Sequence, residues 1–174
     1  TAAEYAYHMV QQTPKDEAVR QISKRYFVTR DQAAQDYQDF VERVETVMSR
    51  YRAGSDIDLL NRSRDTSFRP VPAELAEILE LARSISLLSG GAYDVTVGPL
   101  VRLWGFDDET RRAEAPDGAA VAAARERVGF GKLELDPAGP RVRKLHPEVD
   151  VDLSSIAKGW GVDRVALALE AAGH

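Results

Sequence analysis

Asp150–Asp163 reads DVDLSSIAKGWGVD, a stretch in which a predicted strand passes directly into a predicted helix. The apolar residues within 149–153 predict the strand, and Ser154 and Ser155 stand where the helix begins. A helix N-terminus has unpaired backbone N–H groups and a partial positive charge, so it can hold a phosphate group. Lys158 adds a full positive charge in the first turn. The pattern favours an anion-binding junction, and its alternative is an ordinary capped helix with an exposed lysine.

Two glycines, Gly159 and Gly161, interrupt this predicted helix. Each glycine costs about 1 kcal/mol of helix stability relative to alanine. We therefore expect something to approach the helix backbone closely there. Asp152, at the end of the strand, is a candidate ligand contact. Its alternative role is that of a favourable charge near the positive end of the helix.

Upstream of the junction, helical patterns come first and strand patterns follow. Apolar residues recur at helical spacing from Asp31 to about Ser49, and again from Pro72 to the helix-stopping pair Gly90-Gly91. The other predicted elements are a short helix over 55–61 capped by Ser55, an extended stretch over 93–97, a helix over 117–128, a hairpin of 132–136 with 141–145, and helix 156–172. Helices early and strands late predict an α+β fold.

Composition excludes several classes of protein. The 174 residues suffice for one domain with a hydrophobic core. A net charge of −5, from 23 basic and 28 acidic residues, lacks the basic footprint of a nucleic-acid-binding protein. The absence of cysteine excludes disulfides, thiolate metal sites and cysteine nucleophiles. The three histidines His8, His146 and His174 lie too far apart for a metal-ligand spacing.

A second candidate segment reads SGGAYDVTVGPL over Ser89–Leu100 and continues with LWGF over Leu103–Phe106. The glycine pair suits a helix stop or a ligand cradle. Asp94, beside an aromatic residue, suits a contact to a base or hydroxyl, or a cap for the following turn. Trp104 and Phe106 are expected in the core. These alternatives stay open when each residue is considered alone.

Three stretches together resemble the FAD:protein FMN transferase family, the ApbE-like flavin transferases. Their order and spacing agree with that family over Arg43–Gly173. The stretches are Ser49–Arg52 with Ser55–Ile57 and Leu60-Asn61, Gly90–Leu100 with Leu103–Phe106, and Asp152–Gly159 with Asp163. The resemblance implies a T-fold-like flavin transferase core with a helical N-terminal part.

The same resemblance implies a set of site residues. By likeness to the family, the residues that contact FAD are Tyr51, Ala92, Tyr93, Asp94, Asp152 and Lys158. Lys158 would lie near the FAD phosphates. Ser155 would offer its backbone carbonyl to Mg²⁺, a hard cation that prefers oxygen ligands. The resemblance assigns no catalytic base within this stretch of chain.

The implied reaction transfers FMN from FAD to a threonine or serine hydroxyl of an acceptor flavoprotein and releases AMP. Mg²⁺ would be the cofactor and FAD the substrate, with no nucleic-acid partner. Family likeness also implies a periplasmic or extracytoplasmic, membrane-associated location, with anchoring through an N-terminal lipid signal upstream of Thr1. The alternative is a non-catalytic protein that binds or donates flavin.

Two departures from the family pattern qualify this interpretation. The family opens with a Met-Gly-Thr strand that Tyr5–Val10 does not match, so residues 1–30 receive no site. The family also continues past the position of His174, where an Asp and a Thr usually complete the metal site. Residues 31–174 are therefore expected to form the N-terminal portion of a single flavin transferase domain. Because one carbonyl cannot hold Mg²⁺, this portion alone is expected to be weakly active or inactive.

Overall fold

The structure is a computed structural model that describes residues 16–17, 20, 23–24, 29–106 and 114–171. It forms two compact units, Val47–Leu153 and the combination of Thr1–Thr46 with Ser154–His174. From Arg30 onward the helices are α1 Arg30–Met48, α2 Asp56–Arg62, α3 Ala73–Leu88, α4 Gly98–Trp104, α5 Gly118–Arg125 and α6 Ala157–Ala171. The strands are β1 Arg69–Pro70, β2 Leu133–Leu135 and β3 Arg141–Lys144. The α+β class is confirmed. Tyr5–Val10 lies outside the described residues.

The sheet has the order β1-β3-β2, with both pairs antiparallel. Leu133 pairs with Lys144, which confirms the predicted hairpin. Arg69 pairs with Val142, and the N–H of Val71 donates to the carbonyl of Pro140 at 2.9 Å. Helix α3 contacts β2, and its apolar residues Leu75, Ile78, Leu79 and Ala82 are buried. The buried core of this unit includes Ile57, Leu60, Leu75, Ile78, Leu79, Val95, Val142, Val149, Val151 and Leu153.

The predicted helix boundaries hold because the capping residues act as expected. Ser55 caps α2, since its hydroxyl accepts from the N–H of Asp58 at 3.1 Å and donates to the carbonyl of Ser49 at 2.6 Å. After α3, Gly90 and Gly91 adopt φ values of 62° and 83°. That left-handed conformation is accessible to glycine and strained for most other residues.

The extended stretch predicted over 93–97 is wrong, because the chain turns there. The Asp94 carboxylate accepts from the N–H and the hydroxyl of Thr96, at 2.8 and 2.7 Å, and so folds the segment back on itself. Only Val97 makes a β-bridge, parallel to Asp150. Helix α4 begins immediately afterwards, with Pro99 in its first turn and Gly105 as a left-handed cap. Trp104 and Phe106, expected in the core, are exposed.

The segment 149–153, predicted as a strand, has buried apolar residues, yet the described residues pair with it as a strand would only through the single bridge from Val97 to Asp150. Val149, Val151 and Leu153 are at most 1% exposed. The side-chain amide of Asn61 takes the place of a neighbouring strand: it accepts from the N–H of Val151 at 2.8 Å and donates to its carbonyl at 2.9 Å. The N–H of Asp152 donates to the carbonyl of Val95 at 2.7 Å. The segment is thus held extended by one amide and by isolated backbone bonds.

Helix α6 belongs to the other unit, where it contacts α1. A Cβ added at Gly161 would lie 2.7 Å from Cζ of Phe40, so the Phe40 ring is the group that approaches the helix backbone. A Cβ at Gly159 would meet no atom within 4 Å among the described residues. The close approach expected from the glycine pair is therefore present at Gly161, and side-chain packing explains it without a ligand.

These two glycines make a matched test of packing in α6. We expect Gly161→Ala to lower the free energy of unfolding by about 1 kcal/mol or more, because overpacking costs about 1–3 kcal/mol and exceeds the gain in helix propensity. Gly159→Ala should raise it by up to about 1 kcal/mol through propensity alone. Urea denaturation of both variants measures the difference; equal stabilisation by the two would contradict the Phe40 contact.

Candidate functional site

An arginine and two aspartates form a largely buried charged cluster in the larger unit. Nη1 of Arg50 donates to Oδ2 of Asp152 at 2.6 Å, and its Nη2 lies 3.8 Å from Oδ1 of Asp150. The side chains of all three are 12% exposed or less. Burial acts to lower the pKa of the Arg50 guanidinium, but the hydrogen bond and charge of Asp152 outweigh it and raise that pKa. Arg50 is therefore a permanent cation here.

Asp150 also forms an ion pair with a half-exposed arginine. Arg102, on α4, forms an ion pair with Oδ2 of Asp150. The Oδ1 atom of Asp150 is buried and accepts no hydrogen bond from the part of the chain that the structure describes. That oxygen is directed at Gly98, where an added Cβ would lie only 2.8 Å from the backbone oxygen of Asp150. Glycine at position 98 thus permits this close approach.

Tyr51 lies beside the same arginine. The guanidinium carbon of Arg50 is 5.8 Å from the centre of the Tyr51 ring, within the range of a cation–π contact. The Tyr51 residue is 67% exposed. An exposed aromatic ring next to a fixed cation is a surface on which a flat heteroaromatic ligand can stack. The predicted contacts Tyr51 and Asp152 therefore meet at one residue, Arg50.

The loop Ala92–Asp94 lies just before Val97, the residue that forms a β-bridge with Asp150. Besides its bonds to Thr96, the Asp94 carboxylate accepts from the N–H of Phe130 at 2.8 Å through Oδ2. Ala92 is exposed, and Tyr93 and Asp94 are half-buried. The cap interpretation of Asp94 is confirmed by these bonds, and its predicted contact with FAD stays a prediction. Its carboxylate holds the loop in one conformation, which leaves the loop backbone presented to solvent at Ala92.

Three parts of the chain that lie far apart in sequence converge here. The ion pair between Arg50 and Asp152 joins positions separated by 102 residues. The N–H of Asp152 donates to the carbonyl of Val95, and Val97 bridges Asp150. All three stretches that carry the family resemblance thus contribute to one contiguous set of contacts within Val47–Leu153.

Two cavities open near these contacts. One, the arginine cavity, has a volume of about 300 Å³ and is lined by Arg50, Asp58, Asn61, Arg62, Arg64, Arg102, Arg127, Glu148 and Asp150. The other, the glycine cavity, has about 540 Å³ and is lined by Arg83, Ser86, Leu87, Gly90, Gly91, Asp94, Gly129, Phe130, Gly131 and Leu133. The two share no lining residue, and Asp152 lines neither. Asp94 and Asp152 are linked through the backbone, not through either of these cavities.

A buried lysine supports the segment that carries the aspartates. Nζ of Lys144, a residue 1% exposed, donates to the carbonyls of Asn61 and Pro147 at 3.0 Å and of Val149 at 3.2 Å. Burial lowers the pKa of Lys144 to about 8, which still leaves the amine protonated at pH 7. All three N–H donors of the ammonium are therefore used.

Ser155 and Lys158 lie in the other unit, at the start of α6. Both residues are exposed, and Lys158 occupies the first turn of the helix as predicted. Their approach to FAD or to a metal stays a prediction. Among the described residues, no group of three or more histidines, aspartates or glutamates is placed to hold a metal ion. Ser155 would thus supply a single oxygen, and the described residues do not by themselves form a complete Mg²⁺ site.

Sequence reasoning missed three residues that build the site. Arg50 and Asn61 fell within the resembling stretches but received no role, and Lys144 was assigned only to a hairpin strand. The one available signal was polarity at positions where a buried strand or helix end should be apolar.

The described helices include none with the length and apolar character needed to cross a membrane.

Comparison with known proteins agrees with this architecture. The ApbE family model matches residues 10–174. The FAD:protein FMN transferase of Haemophilus influenzae is 36% identical over 145 residues, which cover 82% of this chain and 42% of the relative. The FAD:protein FMN transferase of Vibrio cholerae is 39% identical over 133 residues, covering 76% of this chain and 39% of the relative. The chain thus spans less than half the length of these curated relatives.

Solved structures give the same result. The flavin transferase ApbE from Vibrio cholerae superimposes with a TM-score of 0.79 at 36% identity, covering 84% of this chain and 47% of the solved one. The apo crystal structure of the flavinyl transferase ApbE from Pseudomonas stutzeri gives a TM-score of 0.77 at 30% identity, covering 84% and 46%. The predicted family is confirmed by sequence and by structure: the chain belongs to the ApbE family.

Proposed function

We propose that this chain is part of an FAD:protein FMN transferase that moves FMN from FAD to a threonine or serine hydroxyl of an acceptor flavoprotein. One observation carries the proposal: the three resembling stretches, distant in sequence, are tied together at Arg50, Asp152 and Val95. Relatives named FAD:protein FMN transferase support it. A chance resemblance of separate motifs would not require them to meet in space.

The residues of this chain supply binding and orientation. Tyr51 offers an exposed ring for stacking, and Asp152 offers a fixed carboxylate that can accept from a hydroxyl or N–H of FAD. Ala92–Asp94 would line the pocket through a loop braced at Thr96 and Phe130. Lys158, exposed in the first turn of α6, would offset charge on the diphosphate.

In the proposed reaction the acceptor hydroxyl attacks the phosphorus of the FMN part of FAD. A new P–O bond forms to the acceptor, the diphosphate P–O bond breaks, and AMP leaves with the electron pair. The hydroxyl proton passes to a general base that is not among the residues proposed to contact FAD. Phosphoryl transfer relies mainly on positioning and electrostatic stabilisation, which matches a site built of fixed charges.

Mg²⁺ dependence belongs to the proposal. A bound Mg²⁺ would neutralise phosphate charge, and the carbonyl of Ser155 would be one of its oxygen ligands. The described residues offer no fuller ligand set for the ion. An extracytoplasmic, membrane-associated location is likewise proposed on family likeness alone.

The transfer itself is tested with full-length protein, FAD, Mg²⁺ and a candidate acceptor flavoprotein. We expect intact-mass spectrometry to show an acceptor heavier by one FMN, and chromatography to show an equal amount of AMP. EDTA should abolish both signals. FAD binding with neither product would leave the non-catalytic flavin-binding alternative, and absence of binding would overturn the proposal.

Lys158 provides a sharper test of the anion-binding junction. We expect Lys158→Ala to raise the dissociation constant for FAD about tenfold, because a cation near a phosphate contributes roughly 1–2 kcal/mol. Lys24→Ala is the matched control, since Lys24 is an exposed lysine outside all three resembling stretches. Fluorescence titration with FAD measures both; equal affinity of the two variants would remove Lys158 from the site.

A further inference from the structure

We propose that Arg50 is a positioning residue of the flavin site, which holds the Asp152 carboxylate and compensates the joint charge of Asp150 and Asp152. This inference rests on the proposed function, since it concerns the contact between Asp152 and FAD. Arg50 itself need not touch FAD, because its guanidinium is directed at the two carboxylates.

The two aspartates share the cation Arg50. Residues two apart on an extended segment project to the same side, so Asp150 and Asp152 present their carboxylates together. Arg50 reaches both, at 2.6 Å from Oδ2 of Asp152 and 3.8 Å from Oδ1 of Asp150. Its side chain is 9% exposed, so water screens the three charges poorly.

Asp150 receives different support at its two oxygens. Arg102 pairs with Oδ2 from the solvent side, with a side chain that is 47% exposed. Oδ1 is buried and accepts no hydrogen bond from the described residues, and Arg50 lies 3.8 Å from it. Loss of the Arg50 charge would leave Arg102 paired with Asp150 but would add net negative charge beside the proposed flavin contact.

A dinucleotide with a diphosphate is strongly anionic. The added net negative charge at its binding surface would repel it, and Asp152 would lose its ion pair with Arg50. A residue that merely ties segments together would act differently: its loss would lower stability, and removing a second charged group would not restore ligand affinity. The two roles therefore make opposite forecasts for a double variant.

The experiment measures FAD affinity of full-length protein by fluorescence titration at pH 7, with thermal melting of each variant as a check of folding. We expect Arg50→Gln to raise the dissociation constant about tenfold or more, as breaking a buried charge pair does. Arg50→Lys should raise it only about threefold, since lysine keeps the charge and loses the planar fork. Adding Asp150→Asn to Arg50→Gln should restore affinity to within about threefold of wild type, because one negative charge is removed.

Arg62→Gln is the matched control. Arg62 lines the same arginine cavity but pairs with Asp58 at 2.7 Å, and its side chain is 70% exposed. The same loss of charge at that position should change the dissociation constant less than about twofold, as expected for a screened surface charge. If Arg62→Gln raised the dissociation constant for FAD as much as Arg50→Gln does, the effect would be a general one of surface charge. That result would overturn the specific role of Arg50.

The remaining outcomes separate this inference from the function on which it rests. Absence of FAD binding by the wild type would overturn the proposed function and this inference together. Wild-type binding with an unchanged Arg50→Gln variant would overturn the role of Arg50 alone, as would a double variant that stays weak. If Arg50→Gln does not fold, Arg50→Lys decides, and wild-type affinity for that variant would overturn the positioning role.

Discussion

Replacing Lys144 by methionine is expected to lower the free energy of unfolding by about 3 kcal/mol, because hydrogen bonds to a charged donor contribute about 1.5–3 kcal/mol and unpaired buried acceptors are costly. The substitution keeps an unbranched side chain, one atom shorter, and removes three N–H donors. The carbonyls of Asn61, Pro147 and Val149 would then lose their shared donor inside the protein. Urea denaturation followed by circular dichroism gives the measurement.

Lys132→Met is the graded control for this prediction. Nζ of Lys132 is half-buried and donates to one carbonyl, that of Val128, at 2.7 Å. One such bond from a charged, half-buried donor should contribute about 1.5 kcal/mol, the low end of that range. If both methionine variants lose the same amount, the three-carbonyl arrangement around Lys144 is not the source of the larger effect. We also expect Lys144→Met to weaken FAD binding, since Val149 leads directly into the segment with Asp150 and Asp152.

Gly98→Ala is expected to lower the free energy of unfolding by about 2–3 kcal/mol, at the upper end of the usual cost of overpacking. The added Cβ would stand 2.8 Å from the backbone oxygen of Asp150, which cannot rotate away as a side chain can. The bridge between Val97 and Asp150 must then open or shift. Because Asp150 shares Arg50 with Asp152, FAD affinity should fall with stability.

Gly118→Ala is the matched control, since Gly118 begins α5 as Gly98 begins α4. A Cβ at Gly118 would meet no atom within 4 Å among the described residues. We expect Gly118→Ala to leave stability unchanged or to raise it by up to about 1 kcal/mol. Denaturant midpoints of the two variants give the comparison. Similar midpoints would show that the backbone near Asp150 yields without cost.

Most of the helices and the hairpin could be predicted because local signals agree with the final packing. A serine that precedes a helix can cap it through its own hydroxyl, as Ser55 does. The glycine pair Gly90-Gly91 ends a helix because glycine readily adopts the left-handed conformation. Helix α4 was not predicted from the sequence, although Pro99 in its first turn and Gly105 after its last residue are common helix boundary signals. Its seven residues are too few to show an amphipathic period.

The failures of prediction arise where a distant residue decides the local conformation. The segment 149–153 has the composition of a strand, but Asn61, 90 positions earlier, occupies its backbone groups. The segment 93–97 alternates as a strand does, but the Asp94 carboxylate bends it towards Phe130. Side-chain amides and carboxylates that replace backbone partners leave no periodic trace in the sequence.

The candidate site, too, could be predicted from the sequence only in part. Motif resemblance indicated Tyr51, Asp94 and Asp152, and the structure ties all three to a common set of contacts through Arg50 and Val95. The charge that holds the carboxylates could not be inferred, because Arg50 and Asp152 are 102 positions apart. The predicted contacts of Lys158 and Ser155 stay predictions.

The short strand β1 has a bearing on how the protein behaves at high concentration. Since Val71 donates to Pro140, alternation along the strand turns the backbone of Pro70 away from β3, towards the side of β1 on which the described residues place no strand. Proline has no N–H, so a strand added at that edge would find no donor at Pro70. We therefore expect β1, as the structure describes it, to be a poor template for pairing with a second copy of the chain.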